Sequence, residues 1–226
     1  MTRLVRKITR AGETPATHFT PDGTANYDAP EGLPYDPDQA RRLLAAAGFP
    51  GGKDFPRIAY AFDASAGGAA KLNAKIGVEL QQMWHEALGL EVDLRQIERK
   101  IFFNSQSRLD YDISRSSWVG DYNDANTFLD LFTSTSGNNR TGWKNARYDD
   151  LIGQANRQTD RARRAALFRQ AETLLLCDEA PIVPLYFYAG LNAYDPRQIG
   201  GIYPNILDEH PLQAITKTGA APKGAR

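Results

Sequence analysis

A single cysteine, Cys177, stands among 226 residues, which excludes an internal disulfide and a cysteine-rich metal site. The histidines His18, His85 and His210 are far apart and lack ligand spacing, so neither a metal ion nor a cofactor is predicted. No apolar run is long enough to span a bilayer. The opening residues Met1 to Ile8 carry basic side chains without the apolar stretch of about 7–15 residues that a secretory leader needs, so no signal peptide is read here. Net charge is also missing: Lys and Arg number 27, and so do Asp and Glu, so the overall field favours neither nucleic acid nor an anionic membrane. A small or neutral partner fits better. There is no glycine-rich phosphate loop. Gly67-Gly68, ahead of a helical run, makes only a weak anion seat without further glycines or a Lys-Ser/Thr pair.

What is present reads as α/β. Residues 11–35 hold Pro15, Pro21, Gly23, Pro30, Gly32 and Pro34, too many breakers for a helix, and form an irregular connector. Asp36-Pro37 then starts a helix, with Asp36 as N-cap, Ala40, Leu43, Leu44 and Ala47 on one face, and Gly48 as the stop. Residues 57–63 alternate Ile58, Tyr60 and Phe62 as a strand. From about Ala69, the positions Leu72, Ile76, Leu80, Met83, Trp84, Ala87 and Leu88 make one helical stripe, closed by Gly89. A strand over 91–97, a short helix over 101–108 and a strand over 111–118 follow, and the alternation indicates a sheet with parallel neighbours. Beyond it the sequence predicts a short helix over 124–133, helices beginning at Tyr148 and after Asp160, the latter through Leu175, and a proline-marked edge strand over 181–188. Cys177, at the end of the last helical stripe, is expected in the core. The last ten residues have little to bury and are expected to be disordered.

The stretch from Trp118 to Asp124, at the end of the third strand, has the composition of a ligand-reading turn. Trp118 and Tyr122 offer flat apolar faces, Gly120 permits close backbone approach, and Asp121 is a fixed negative charge suited to an ammonium group. Arg115 lies three residues before Trp118. A cation, an anion and aromatic surface therefore fall within eight residues, a set that can hold a zwitterion. Open α/β sheets bind ligands at the carboxyl ends of their strands, which suits this position. Asp121, Asp124 and Asp130 also invite an acid-base reading, but Asp124 sits where a helix N-cap belongs and Asp130 falls on an exposed helical position. Taken alone, Asp121 can equally be a turn aspartate, and Trp118 a core residue.

Several stretches resemble, in order, the solute-binding proteins of peptide ABC importers, the oligopeptide- and dipeptide-binding family. They are Tyr35 to Pro50, the Trp118 to Asp124 turn, Gly137-Asn-Asn, Tyr148-Asp-Asp-Leu-Ile, Ala171-Glu172, Ala180 to Tyr186, and Gly200-Gly201, spread over residues 4–212. The resemblance implies a type II periplasmic-binding-protein-like lobe, its mixed, largely parallel sheet flanked by helices. It implies a non-catalytic role, in which Asp121 holds a peptide α-ammonium. Trp118, Val119, Gly120, Tyr122 and Asn123 would line the ligand, Val119 and Gly120 partly through backbone groups as in strand addition. Arg115 matches a basic residue that can meet a peptide carboxylate, while a second such arginine is replaced by Gln106. On this reading residues 1–35 form the connector leading into the lobe and 36–184 the second ligand-binding lobe. Residues 185–216 form a return crossing to a first lobe that this chain lacks, and 217–226 the tail. The implied partners are a peptide, that first lobe and the permease subunits, with no nucleic acid, in a periplasmic or other extracytoplasmic setting. A regulator's sensor lobe built on the same domain and an aspartate-dependent hydrolase are the alternatives.

Overall fold

A computed structural model describes residues 1–64 and 68–218, without the side chains of residues 68–70. The Gly67-Gly68 anion seat therefore falls largely outside the described residues. In chain order the elements are helix α1 (Thr2–Leu4), which runs into a π-helical turn over Val5–Thr9, and strand β1 (Thr14–Pro15). Helix α2 (Pro37–Ala46), strand β2 (Ile58–Asp63), helix α3 (Gly68–Leu88), strand β3 (Val92–Ile97), helix α4 (Arg99–Arg108) and strand β4 (Ile113–Ser114) follow. Next come helices α5 (Asn126–Leu129), α6 (Ala146–Arg157) and α7 (Arg161–Thr173), then strands β5 (Tyr186–Phe187), β6 (Ile199–Gly200) and β7 (Thr216–Lys217).

The main sheet has the order β3-β2-β4, and β2 pairs in parallel with both neighbours. Since α3 and α4 make the two crossovers and both contact β2, that strand is covered on both faces. Ala59, Tyr60, Ala61 and Phe62 are all buried, where the alternation Ile58, Tyr60, Phe62 predicted one buried face. Leu4, Tyr60, Phe62, Ile76, Leu80, Leu90 and Val92 form the core of this layer. Ile76 and Leu80 come from the predicted α3 stripe, and Gly89 (φ 71°) follows its last turn. A second core, built by α5, α6 and α7, holds Leu129, Tyr148, Ile152, Phe168, Ala171 and Leu175, with Cys177 packed at its margin.

Helix starts follow their caps. Asp36 accepts the Gln39 N–H at 2.8 Å, with Pro37 in the first turn. Of that helix's apolar face only Leu44 reaches the sheet core, and Leu43 is 60% exposed. α4 begins at Arg99 rather than 101 because Glu98 accepts the Lys100 and Ile101 N–H groups. α6 begins at Ala146 rather than Tyr148 because Asn145 accepts from Arg147 and Tyr148.

Two strands are shorter than predicted. β4 stops early because Gln106, buried under the strand, donates to Ser114 Oγ and to the Arg115 carbonyl, the acceptor that a longer ladder would use. At the strand's other end the Asp112 carboxylate takes the Ala59 N–H at 2.9 Å. Of residues 181–188 only β5 is strand, antiparallel to β1, with the Leu185 carbonyl taking one further bond from the Ala16 N–H, since Pro181 and Pro184 bring no N–H to a ladder. The predicted disorder from residue 217 meets a pairing: Lys217 lies in β7 against β6, and the Thr218 N–H reaches the Gln198 carbonyl at 2.8 Å. Residues 219–226 lie outside the description.

Candidate functional site

The turn from Trp118 to Asp124 leaves the carboxyl end of β4 and enters α5, bridging the two cores. Trp118 divides its surface: the indole N–H donates to the Thr127 carbonyl at 2.8 Å and the ring packs on the helical core. Val119 is 70% exposed. Gly120 has a cause internal to the chain, since a Cβ there would stand 2.7 Å from Phe128 Cζ. The close approach that the sequence assigned to a ligand is made by the protein's own phenylalanine.

Asp121 is exposed. Its backbone N–H donates to Thr127 Oγ1 at 3.0 Å, while no hydrogen bond or ion pair among the described residues takes its carboxylate. The side chains of the three residues that follow it are each held. Asn126 donates to the Tyr122 hydroxyl at 3.0 Å and to Asp130 at 3.3 Å. Asn123 Oδ1 accepts the Ala25 N–H at 2.8 Å. Asp124 accepts the Asn126 N–H and grips Arg164 through both carboxylate oxygens, at 2.5 and 2.9 Å. Burial works against the Asp124 charge, but Arg164 and the Asn126 N–H outweigh it and hold the carboxyl below the usual range.

Asp130 behaves oppositely. It is half-buried, not on the exposed helical position that the sequence suggested, and burial together with the charge of Asp121 pushes its carboxyl up. A raised carboxyl pKa means that the native chain binds this proton more tightly than the unfolded chain does. Its contribution to stability is full below the unfolded pKa and is lost as pH rises through the folded one. Asp130→Asn is therefore expected to stabilise the protein at neutral pH, by less than about 1 kcal/mol because the site is partly open to water, with the gain shrinking towards acid. Urea denaturation across pH measures this; a gain that is constant with pH would refute it.

Arg115 is built into a separate corner. Its backbone N–H pairs with the Ala61 carbonyl and its Nη2 donates to the Tyr188 hydroxyl at 2.5 Å, with Tyr60 and Tyr186 close by. Burial opposes the guanidinium charge, but the surrounding phenols outweigh it and raise the pKa. Burial likewise pushes Tyr60 up to about 12. The sequence offered no sign of this tyrosine ring, because its members lie 55 residues or more from Arg115. Nor did it signal Arg164 or Asn126 as supports of the turn, though a basic residue facing a cap aspartate is a pattern that can be searched for.

Residues 1–140 match the family described as bacterial extracellular solute-binding proteins, family 5 Middle. The chain belongs to this family. Its relatives include the periplasmic murein peptide-binding protein MppA of Escherichia coli, 35% identical over 192 residues that make up 82% of this chain and 34% of MppA. The oligopeptide-binding protein OppA of Bacillus subtilis is 32% identical over 209 residues, 89% of this chain and 37% of that one. The solved structure of the Escherichia coli murein tripeptide binding protein MppA superposes with a TM-score of 0.80 at 32% identity, covering 96% of this chain and 42% of that chain. The chain thus spans about a third of the length of the curated relatives it matches. The fold is that of the type II periplasmic-binding-protein-like peptide-binding proteins, and the family is one of solute-binding proteins.

Proposed function

We propose that this chain supplies one face of the peptide site of an ABC importer's solute-binding protein, working with a first lobe and delivering to permease subunits outside the cytoplasm. In this reading Asp121 receives the α-ammonium of an extended peptide. Trp118, Val119, Gly120, Tyr122 and Asn123 line its first residues, and Arg115 stands towards the carboxylate. The observation that carries the reading is the exposed Asp121 carboxylate, which takes no hydrogen bond or ion pair among the described residues, while the side chains of Tyr122, Asn123 and Asp124 beside it are each held by a partner. With its backbone already anchored on Thr127 Oγ1, Asp121 has only its side chain to order on binding, and its carboxylate gains a charge-assisted hydrogen bond. The names of the relatives, murein peptide-binding and oligopeptide-binding, support a peptide as the solute. Residues 36–184 then form the ligand-binding lobe and 185–216 the segment that crosses to its counterpart.

A peptide held on one face buries part of its surface, so the chain alone is expected to bind with millimolar rather than micromolar affinity; each factor of ten corresponds to about 1.4 kcal/mol. Titration of the labelled chain with a tetrapeptide, followed by amide shifts at Val119, Asp121 and Tyr122, reads such weak binding directly. Acetylating the peptide's amino group, or Asp121→Asn, is expected to weaken it roughly tenfold or more. Equal shifts from free and acetylated peptides would sink the ammonium assignment.

A further inference from the structure

Glu172 is fully buried near the C-terminal end of α7, and no hydrogen bond or ion pair among the described residues joins it to a basic side chain. It is satisfied instead by a segment about 150 residues earlier. Oε1 accepts the Phe19 and Thr20 N–H groups at 2.8 and 2.9 Å, and Oε2 accepts the Tyr27 hydroxyl at 2.6 Å. One carboxylate thus holds both ends of residues 19–27. Between those ends the segment bends through Thr24, whose N–H and Oγ1 both reach the Pro21 carbonyl, and whose own carbonyl accepts from Tyr27. At the crest of the bend the Ala25 N–H points outward and meets Asn123 Oδ1 at 2.8 Å.

The same helix ties the neighbouring turn residue directly, through Arg164 and Asp124. Arg169 adds a bond to the Asp28 carbonyl at 2.9 Å, and Phe168 packs edge-on against Tyr27. α7 therefore reaches the two consecutive residues that follow Tyr122 by two routes: Asp124 by an ion pair and Asn123 by a relay that begins at Glu172.

The geometry points to Glu172 as a positioning residue: its carboxylate, through the loop 19–27 and the Ala25–Asn123 bond, fixes the aim of the Asp121 turn. This rests on the reading of that turn as the ligand-contacting one. A buried carboxylate costs heavily unless its lone pairs are filled, and here they are filled by loop groups rather than by a cation. Loss of the acceptors strands two backbone N–H groups and a phenol, so the loop is released at both ends together.

The test compares Glu172→Met, which keeps the volume and removes the acceptors, with Glu172→Gln, which keeps an acceptor. Amide exchange and the tetrapeptide titration are followed by NMR. Glu172→Met is expected to speed exchange at Phe19, Thr20 and Ala25 at least about tenfold while Leu151 and Ile152 in α6 hold their protection. Peptide affinity at the turn is expected to fall roughly fivefold with it, and Glu172→Gln to restore both. Tyr27→Phe, which removes one donor and no volume from the core, should move the same amides less and carries the test if Glu172→Met does not fold. Asn123→Ala should weaken the peptide while leaving Phe19 and Thr20 protected. Equal behaviour of Met and Gln, or faster exchange at Phe19 and Thr20 without any at Ala25, would overturn the relay. If Ala25 follows Glu172 while Asp121→Asn leaves the titration unchanged, the positioning stands and the ammonium reading falls.

Discussion

Phe168→Ala is expected to destabilise the protein by about 3–5 kcal/mol, the range for removing a fully buried aromatic ring that its surroundings cannot replace. Phe168 is 1% exposed and lies on α7 within the helical core. Tyr27 meets the ring edge-on, with centroids 6.3 Å apart and planes at 89°, and the Arg164 guanidinium lies 4.7 Å from its centroid. Tyr27 and Arg164 are the groups that connect α7 to the loop 19–27 and to Asp124, so the cavity removes contacts from both supports of the candidate site. A typical domain holds only about 5–15 kcal/mol, so such a loss removes much of the margin. Urea denaturation measures it, with Leu43→Ala as the reference: Leu43 is 60% exposed, and its loss should cost no more than about 0.5 kcal/mol. A Phe168→Ala penalty below about 1 kcal/mol would show that the helical core collapses around the hole, against the rigid packing inferred from the edge-on and cation–π geometry.

The features legible in the sequence were those decided by neighbours in the chain. Asp36-Pro37 states a helix start within three residues, and the α3 stripe states its buried face through spacing alone. The turn from Trp118 to Asp124 was equally local: its place at the end of a strand and before a short helix follows from flanking patterns. What was not legible depends on groups far apart in sequence. β4 ends early because the Gln106 side chain takes the Arg115 carbonyl. Asp124 reads as a plain cap, but the cap position of α5 is Ala125; Asp124 Oδ1 accepts the Asn126 N–H from one residue further out, and both its oxygens hold Arg164, 40 residues on. Glu172 gives no sign in its own neighbourhood that Phe19, Thr20 and Tyr27 complete it. Asp130 was misplaced for a related reason, since the short helix that carries it is pressed against the α6 and α7 core, where a helical wheel cannot tell solvent from protein.

Gly120→Val is expected to cost about 1–3 kcal/mol and to displace Asp121, because the obstacle is packing rather than backbone freedom. Gly120 does not have a positive φ, so its conformation is open to other residues. The space is not: an added Cβ meets Phe128 Cζ at 2.7 Å, Thr127 Cγ2 at 3.0 Å and Phe128 Cε2 at 3.2 Å. Phe128 is 4% exposed and packs edge-on against Phe19, so a shift of its ring disturbs that packing. Thr127 is 2% exposed, and its hydroxyl is the acceptor for the Asp121 N–H. Any outward step of residue 120 therefore breaks that bond and moves the Asp121 carboxylate together with Trp118, whose indole is anchored to the Thr127 carbonyl. Two measurements check this: the urea midpoint, and the Trp118 indole N–H resonance, which should leave its hydrogen-bonded position. Making room by Phe128→Leu in the same chain should recover part of the loss, giving a coupling of at least about 0.5 kcal/mol in a double-mutant cycle. Additive losses would locate the cost of Gly120→Val away from Phe128, and an unmoved indole resonance would separate the packing of Gly120 from the placement of Asp121.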